Sequence, residues 1–294
     1  MKDSQFEIFL HLSIKQMIDI ISKSFPPSQA IREAKWIQNE LPSEKWIDAC
    51  IKRSNHYPLQ YILGNQPFGK LDLKCQPKVL IPRLDTEEWV LQASELLKQT
   101  KIDNIVDYCT GSGCIGLTMA SELNDVSKIY CIDYKNEAID LTKENLLINK
   151  SQLNVDVEIF KGDIFDGFLP DHELLKNPAN KSLLVSNPPY IPKNDLIDGE
   201  VETSVLKYEP EDALLGDLEF YQCLTKQLLI PYPAFQAFIF ELGYQHQADV
   251  VRKILPKDWT VGIRYDSSNH LKNVIGWKKT TDLSILGNMI HKTI

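Results

Sequence analysis

The chain has 294 residues, 43% of them hydrophobic, which suffices for one large domain or for one large and one small domain. No run approaches the ~18 consecutive apolar residues that a membrane helix needs, so we predict no membrane-spanning segment. The formal net charge of -8 argues against an enzyme that grips long stretches of nucleic acid, because such enzymes usually carry a basic face.

The first 64 residues are predicted to form a small helical domain. Pro26-Pro27-Ser28 is predicted to end the first helix, with Ser28 capping the second, and a third helix is predicted to start at Pro42-Ser43. The first helix carries an apolar stripe at helical spacing, made of Phe6, Leu10, Ile14, Met17, Ile18 and Ile21. Such stripes indicate the core of a helix bundle rather than a cofactor site.

Two further segments complete the predicted domain organisation. In residues 65–84, prolines and glycines interrupt short alternating stretches, which predicts a β-hairpin linker. From residue 85 to residue 294, strands and helices alternate. Helices are predicted at 86–99, 115–123, 137–149, 219–229 and 245–254. Strands are predicted at 104–108, 128–133, 155–160, 182–186, 237–242, 260–265 and 273–277.

The alternation of apolar strands with helices predicts an α/β fold with a mostly parallel, doubly wound sheet of seven strands. The last two strands are separated by only a short polar stretch, so we expect an antiparallel pair at one edge of the sheet. The predicted division is therefore 1–64, 65–84 and 85–294.

A glycine-rich turn follows the first predicted strand, in Asp107-Tyr108-Cys109-Thr110-Gly111-Ser112-Gly113. Glycines let the backbone turn tightly and approach a ligand, and the next helix points its positive end towards that ligand. With Gly116 the turn matches the G-x-G-x-x-G pattern of dinucleotide enzymes, which by itself is a weak match. Asp107 favours a different ligand, because a carboxylate at the end of this strand suits the ammonium group of a methionine moiety.

Aspartates also follow the next two strands. Asp133 lies about 20 residues after Gly113, where a carboxylate can accept hydrogen bonds from both hydroxyls of a ribose. This spacing suits NAD and S-adenosyl-L-methionine alike. Asp163 can accept from an adenine amino group while Ile164 covers the ring. The plainer alternatives are a solvated aspartate at a strand end and an ordinary turn aspartate.

The fourth strand ends in Asn187-Pro188-Pro189-Tyr190, at the side of the sheet where such folds bind ligands. Asn187 offers an amide donor and an amide acceptor, and the prolines present carbonyls with little backbone freedom. The ring of Tyr190 can pack against a flat substrate. Together these residues can hold a planar –NH2 group by its two protons, with the nitrogen lone pair facing a methyl donor. We predict no metal site, because no cysteine or histidine cluster has ligand spacing.

These motifs resemble the HemK/PrmC family of protein-(glutamine-N5) methyltransferases, which modify class I peptide chain release factors. The resemblance runs from about residue 58 to residue 277. Asn-Pro-Pro-Tyr is shared with adenine DNA methyltransferases, whereas the Ile-Pro-Arg and Glu-Pro segments are more specific. Beyond the glycine-rich turn, the matching segments are 58–64, 67–69, 79–83, 85–87, 185–192, 208–210, 213–214 and 240–243.

The resemblance implies a class I, Rossmann-like methyltransferase domain that uses S-adenosyl-L-methionine, preceded by a helical domain that recognises the substrate. It implies that Asn187, Pro188, Pro189 and Tyr190 hold the glutamine of the Gly-Gly-Gln loop of a release factor, with no nucleic acid required. It implies cofactor contacts from Asp107, Cys109, Thr110, Gly111, Ser112, Gly113, Asp133, Asp163, Ile164 and Asn187.

Two departures bear on the source of the chain. Cys109 and Leu84 stand where bacterial members usually have Gly and Pro. The cysteine, together with Glu87-Glu88-Trp89, is more similar to fungal mitochondrial members. The resemblance therefore implies the mitochondrial matrix, or otherwise the cytoplasm.

Two other functions stay open at this point. An adenine-amino DNA methyltransferase needs a target-recognition region and a basic surface, and residues 1–64 show no clear sign of either. A non-catalytic adapter is expected to lose Asp133 or Asn187, and both are present.

Overall fold

The computed structural model describes residues 12–197 and 201–294. These residues divide into two compact units: residues 12–65 with 202–208, and residues 66–197, 201 and 209–294. The three-part division 1–64, 65–84 and 85–294 stays a prediction. Within the described ranges, no helix combines the length and the apolar content needed to cross a membrane.

The helices are α1 (Ile14–Ile21), α2 (Pro27–Glu40), α3 (Trp46–Ser54), α4 (Leu59–Leu63), α5 (Leu84–Leu97), α6 (Cys114–Glu122), α7 (Asn136–Ile148), α8 (His172–Lys176), α9 (Lys193–Ile197), α10 (Thr203–Tyr208), α11 (Leu218–Cys223) and α12 (Gln245–Ile254). The strands are β1 (Asn65–Phe68), β2 (Leu71–Lys74), β3 (Ile102–Tyr108), β4 (Val126–Asp133), β5 (Val157–Lys161), β6 (Ser182–Ser186), β7 (Phe235–Glu241), β8 (Trp259–Tyr265), β9 (Leu271–Lys278) and β10 (Lys292–Thr293).

The first unit is the predicted helical bundle. Met17 and Ile21 of α1 are fully buried, which confirms the described part of the apolar stripe, whereas Phe6 and Leu10 lie outside the described residues. The predicted cap by Ser28 is wrong. Helix α2 begins at Pro27, whose missing N–H and fixed φ suit the first helical position, so Ser28 lies inside the helix.

Helix α10 belongs to the first unit, although in the sequence it lies between β6 and β7 of the second unit. The Tyr208 hydroxyl donates to the carbonyl oxygen of Asn55 at 3.0 Å. The Tyr208 ring also packs edge-on against Tyr57, with 4.9 Å between ring centroids. Helix α10 is therefore anchored to the helical bundle by a hydrogen bond and an aromatic contact.

The second unit is built on one sheet with the strand order β10-β8-β9-β7-β6-β3-β4-β5. Strands β3 to β7 are parallel, and β8, β9 and β10 pair antiparallel at one side. All seven predicted strands are confirmed. An eighth, β10, extends the edge of the sheet; a two-residue strand has no periodicity from which it could be predicted.

Both faces of the sheet are buried, as the apolar strands predict. Ile105 and Leu183 contribute to the core on one face, and the next residues, Val106 and Leu184, contribute to the core on the other. The β1–β2 hairpin packs into the first of these cores through three buried side chains, Phe68, Leu71 and Leu73. The hairpin is thus part of the second unit's core.

Strand β3 is the topological switch point of the sheet. It pairs with β4 on one side and with β6 on the other, so the chain leaves the carboxyl ends of these strands in diverging directions. A crevice at such a point is where open α/β sheets bind ligands. The fold therefore places the loops after β3, β4, β5 and β6 around one site.

Candidate active site

A cavity of about 360 Å³ opens at the carboxyl ends of β3 to β6. It brings together most of the residues that the sequence singles out. The predicted residues that line it are Cys109, Thr110, Gly111, Ser112, Asp133, Asp163, Ile164, Asn187 and Pro189. Four other predicted residues do not line it, namely Asp107, Gly113, Pro188 and Tyr190.

The glycine-rich turn after β3 passes through the left-handed region of backbone conformation. The angle φ is +61° at Cys109, +59° at Gly111 and +84° at Gly113. Glycine adopts this region freely, whereas a side chain there costs ~1–2 kcal/mol. Gly116 has a packing role, because a Cβ there would lie 2.4 Å from Cys131 Sγ.

Asp107 lies beneath the turn rather than in the cavity wall. Its side chain is fully buried, and its Oδ2 accepts from Thr110 Oγ1 at 2.5 Å and from the Gly116 N–H at 3.0 Å. Its Oδ1 has no hydrogen-bond partner among the described residues. Burial raises the pKa of the Asp107 carboxyl to about 7, and the two hydrogen bonds oppose that rise. The residue therefore fastens the turn to α6, and a direct cofactor contact from it stays a prediction.

Replacing Asp107 by asparagine should flatten the pH dependence of folding stability. Between about pH 4 and 7 the wild-type native state retains a proton that the unfolded state releases, so this group's contribution falls as pH rises. In Asp107→Asn, the slope of unfolding free energy against pH should change by up to ~1.4 kcal/mol per pH unit. Urea unfolding at pH 5.5 and 7.0 measures it, with the exposed Asp156→Asn as control. Equal slopes in Asp107→Asn and wild type would contradict this interpretation.

Asp133 at the end of β4 is positioned by two backbone amides. Its Oδ2 accepts from the Gly111 N–H at 2.9 Å, and its Oδ1 accepts from the Lys135 N–H at 3.0 Å. The side chain is 7% exposed, and burial raises its pKa. Each carboxylate oxygen has a second lone pair. The carboxylate can therefore accept from two neighbouring hydroxyls of a ligand in the cavity.

Asp163 and Ile164 follow β5 and line the same cavity. Asp163 Oδ1 caps a short 3-10 helix by accepting from the Phe165 N–H at 2.9 Å. Ile164 is buried and presents an apolar surface. The pair can accept a hydrogen bond from the edge of a flat ring and cover its face.

Asn187 and Pro189 of the Asn187–Tyr190 segment line the cavity at the end of β6. Gly216 lies so close that a Cβ there would be 2.3 Å from the Pro189 carbonyl oxygen. Tyr190 packs its ring over Gly243, its hydroxyl donates to Glu241 Oε1 at 3.5 Å, and burial raises its pKa to about 12. These contacts hold the segment in one conformation.

Two segments that carry the family resemblance meet at this cavity. Glu209 Oε2 accepts from the Ile81 N–H at 3.1 Å, and Glu209 Oε1 accepts from Arg83 Nη2 at 2.7 Å. Ile81 and Arg83 line the cavity. Sequence reasoning gave these residues no role, although the specificity of the Ile-Pro-Arg and Glu-Pro segments was a signal that could have indicated one.

A second set of hydrogen bonds joins the chain after Asp133 to Asp212, at the edge of the cavity. The Tyr134 hydroxyl donates to Asp212 Oδ2 at 2.5 Å, and Lys135 Nζ donates to Asp212 Oδ1 at 2.7 Å. Nearby, the ring centroids of Phe165 and Phe220 are 5.2 Å apart. All five residues line the cavity, so the chain around 212–220 forms one of its walls. Sequence analysis missed these residues too.

The lining fits S-adenosyl-L-methionine. Asp133 keeps acceptor capacity for two ribose hydroxyls, Asp163 and Ile164 suit the edge and face of adenine, and Gly111 lets the backbone approach closely. In the parts of the chain that the structure describes, no group of three His, Cys, Asp or Glu side chains could hold a metal ion.

A comparison with known proteins agrees with the class that this geometry indicates. The model of the methyltransferase small domain family matches residues 84–206. The human METTL16 catalytic domain, solved in complex with the MAT2A 3'UTR hairpin 6, has a similar fold. Its TM-score is 0.55 at 17% identity, and the match covers 80% of this chain and 83% of that one. The fold is that of a class I methyltransferase.

Sequence relatives define the family. The mitochondrial MRF1 N(5)-glutamine methyltransferase MTQ1 of Saccharomyces cerevisiae is 37% identical, over 90% of this chain and 83% of its own length. The probable mitochondrial enzyme mtq1 of Schizosaccharomyces pombe is 34% identical, over 86% and 89%. The release factor glutamine methyltransferase of Clostridium botulinum is 36% identical, over 72% of each chain. This chain belongs to the release factor glutamine methyltransferase family.

Proposed function

We propose that this enzyme transfers a methyl group from S-adenosyl-L-methionine to the side-chain amide nitrogen of the glutamine in the Gly-Gly-Gln motif of a class I release factor, and so supports translation termination. The observation that carries the proposal is that Asn187 and Pro189, at the end of β6, line the same cavity as Asp133 and Asp163. Family membership supports the choice of glutamine as the substrate. The mitochondrial relatives support the mitochondrial matrix as its location.

The cofactor would be held by the residues that line the cavity. Asp133 would accept from the ribose hydroxyls, Asp163 from the adenine amino group, and Ile164 would cover the adenine ring. The turn at Cys109–Gly113 would approach the methionine moiety with its backbone, in a conformation that Asp107 stabilises. When bound, the sulfonium group supplies an activated methyl group.

The protein's main task is alignment, because an amide nitrogen is a poor nucleophile. Its lone pair is delocalised into the carbonyl group. Asn187 Oδ1 and the Pro188 carbonyl would each accept one amide proton, which draws electron density onto the nitrogen and aims it at the methyl group. Tyr190 would pack against the glutamine side chain. Such positioning can supply up to ~7–11 kcal/mol. We assign no general base, and the proton leaves to water after transfer.

The adenine-amino DNA methyltransferase is not favoured. Asn-Pro-Pro-Tyr fits both substrates, but the relatives described above, at 34–37% identity, are named glutamine methyltransferases. No nucleic acid is required by the proposed reaction.

A substrate comparison tests the proposed function. The protein is incubated with labelled S-adenosyl-L-methionine and either an intact class I release factor or duplex DNA. We expect label on the release factor and none on DNA. Label on DNA alone, or on neither substrate, would refute the proposal. A release factor with Gln→Ala in its Gly-Gly-Gln motif is the matched control and should stay unlabelled.

We also propose that the first unit recognises the protein substrate, because a pocket for one glutamine cannot select one protein. Helix α3 exposes Ile47 and Ile51, one turn apart and 39% and 47% exposed. Replacing both by serine should raise the KM for an intact release factor ~100-fold and leave cofactor affinity unchanged, since each buried apolar side chain contributes ~1.5 kcal/mol or more. Steady-state kinetics and calorimetry measure the two effects.

The control for this pair is Ile148→Ser, which removes another exposed isoleucine, from α7 of the second unit. Its KM should match the wild type. If the double variant also keeps the wild-type KM, substrate recognition does not use this face of α3.

A further inference from the structure

A buried carboxylate lies behind the Asn187–Tyr190 segment. Glu241, the last residue of β7, has no exposed surface. Its Oε2 accepts from Thr86 Oγ1 at 2.7 Å and from Trp89 Nε1 at 2.8 Å. Its Oε1 accepts from the Tyr190 hydroxyl at 3.5 Å and lies 4.0 Å from Lys272 Nζ. One carboxylate therefore holds donors from α5, β9 and the substrate-binding segment.

The Thr86 hydroxyl links this carboxylate to Asn187. A hydroxyl has one proton, and in Thr86 that proton is donated to Glu241. The Thr86 oxygen can then only accept from its other neighbour. Asn187 meets this requirement with its amide nitrogen, because Nδ2 lies 3.4 Å from Thr86 Oγ1. The hydrogen bonds run in one direction, from Asn187 through Thr86 to Glu241.

This direction determines which end of the Asn187 amide is left for a ligand. With one of its two Nδ2 protons donated to Thr86, the Asn187 amide keeps Oδ1, its only acceptor, for a ligand, beside one remaining N–H. A rotation of the amide by half a turn would point Oδ1 at the Thr86 oxygen, where no proton is available. Thr86 is 1% exposed, so little water reaches its oxygen to stabilise the rotated form.

We propose that Glu241, acting through Thr86, fixes the Asn187 amide with Oδ1 towards the substrate, and thereby makes the site selective for a glutamine amide over a glutamate carboxylate. This inference rests on the proposed function. An acceptor in that position pairs with an amide proton and repels a carboxylate oxygen. Sites built to bind an N–H reject analogues that lack it, because the buried acceptor is then left unpaired. Thr86 and Glu241 are positioning residues, since they act through Asn187.

The test compares Thr86→Val with Thr86→Ser. Valine keeps the shape of threonine and removes the hydroxyl, whereas serine keeps the hydroxyl. We expect Thr86→Val to lower kcat by ~10–100-fold, the range expected when a reacting group is misplaced by about 1 Å. Thr86→Ser should recover at least a third of wild-type kcat. Cofactor affinity, measured by calorimetry, should stay within about twofold in both variants and so shows an intact fold.

Selectivity for glutamine over glutamate distinguishes a positioning role of Thr86 from a merely structural one, because a merely structural role would leave this selectivity unchanged. The probes are an intact release factor and its Gln→Glu variant in the Gly-Gly-Gln motif, each assayed for binding to the cofactor-loaded enzyme. Wild type should favour the glutamine form. In Thr86→Val the amide of Asn187 can rotate and present Nδ2 to the substrate. The ratio of the affinity for the glutamine form to the affinity for the glutamate form should therefore fall at least ~3-fold. Thr86→Ser should keep the wild-type preference.

Thr118→Val is the matched control. It makes the same substitution at a fully buried threonine of α6 whose hydroxyl has no hydrogen-bond partner among the described residues. Its kcat and selectivity should equal those of wild type. If Thr86→Val does not fold, Thr86→Ala replaces it, because alanine also removes the hydroxyl.

The possible results distinguish a failure of the proposed function from a failure of the role proposed for Thr86 and Glu241. A wild-type protein that leaves the release factor unmethylated overturns the proposed function. A wild type that methylates it, with a Thr86→Val variant of unchanged kcat and unchanged selectivity, overturns the role of Thr86 and Glu241 alone. Equal losses in Thr86→Val and Thr86→Ser would also overturn it, since the hydroxyl would then not be the group that matters.

Discussion

Asn187→Ala should lower methyl transfer to a release factor by ~10²–10³-fold, comparable to the removal of one preorganised hydrogen-bonding group from an active site. The variant loses the acceptor that holds one amide proton of the substrate and aims the nitrogen at the methyl group. It should fold, because the Asn187 side chain is only partly buried and makes one long hydrogen bond. Single-turnover transfer of a labelled methyl group measures the effect.

Asn187→Asp tests the same residue in another way. It keeps the size of the side chain, replaces the donating –NH2 by an acceptor, and adds a charge near the cofactor. This carboxylate would face the Thr86 oxygen, whose proton is already donated to Glu241. Most activity should be lost. The control is Asn194→Ala, an exposed asparagine in α9 of the same loop region. Near-normal turnover of Asn187→Ala would refute the mechanism.

Asp133→Ala should weaken binding of S-adenosyl-L-methionine by ~10–150-fold, because hydrogen bonds to a charged group contribute ~1.5–3 kcal/mol. The carboxylate is held by Gly111 and Lys135 with lone pairs left for two ribose hydroxyls. NAD should not bind measurably to the wild type, since the chain belongs to a methyltransferase family. Titration calorimetry with each cofactor makes the measurement.

The control for Asp133→Ala is Asp140→Ala, an exposed aspartate in α7 that has no part in the cavity. Cofactor affinity of that variant should equal that of wild type. Asp133→Asn, which keeps one acceptor oxygen, should lie between wild type and Asp133→Ala. An Asp133→Ala protein with unchanged cofactor affinity would show that another residue holds the ribose.

The sequence predicts those parts of the fold that local pattern controls. Strand β6 and helix α12 have the predicted bounds, because one is apolar on both faces and the other has a clear helical period. The helix predicted at 219–229 is α11 followed by a π-helix at Leu224–Leu229. There the Thr225 hydroxyl donates to the Tyr221 carbonyl oxygen at 2.7 Å, a bond that competes with regular helical pairing.

In the candidate site, too, some residues could be predicted from local sequence and others could not. Asp133, Asp163 and Asn187 could be predicted because each follows a strand, and the carboxyl ends of parallel strands meet at one edge of a sheet. The partners that position them could not. Thr86 and Glu241 are 155 residues apart, and Arg83 and Glu209 are 126 apart. Such pairs depend on how distant elements pack, which single-sequence patterns do not contain.

The most direct test of the account locates the transferred methyl group. A purified release factor is incubated with the enzyme and S-adenosyl-L-methionine, digested, and analysed by peptide mass mapping. We expect one methyl group, on the side-chain nitrogen of the glutamine in the Gly-Gly-Gln motif, and none when Asn187→Ala replaces the wild type. A methyl group on any other residue of the factor, or equal methylation by the variant, would contradict it.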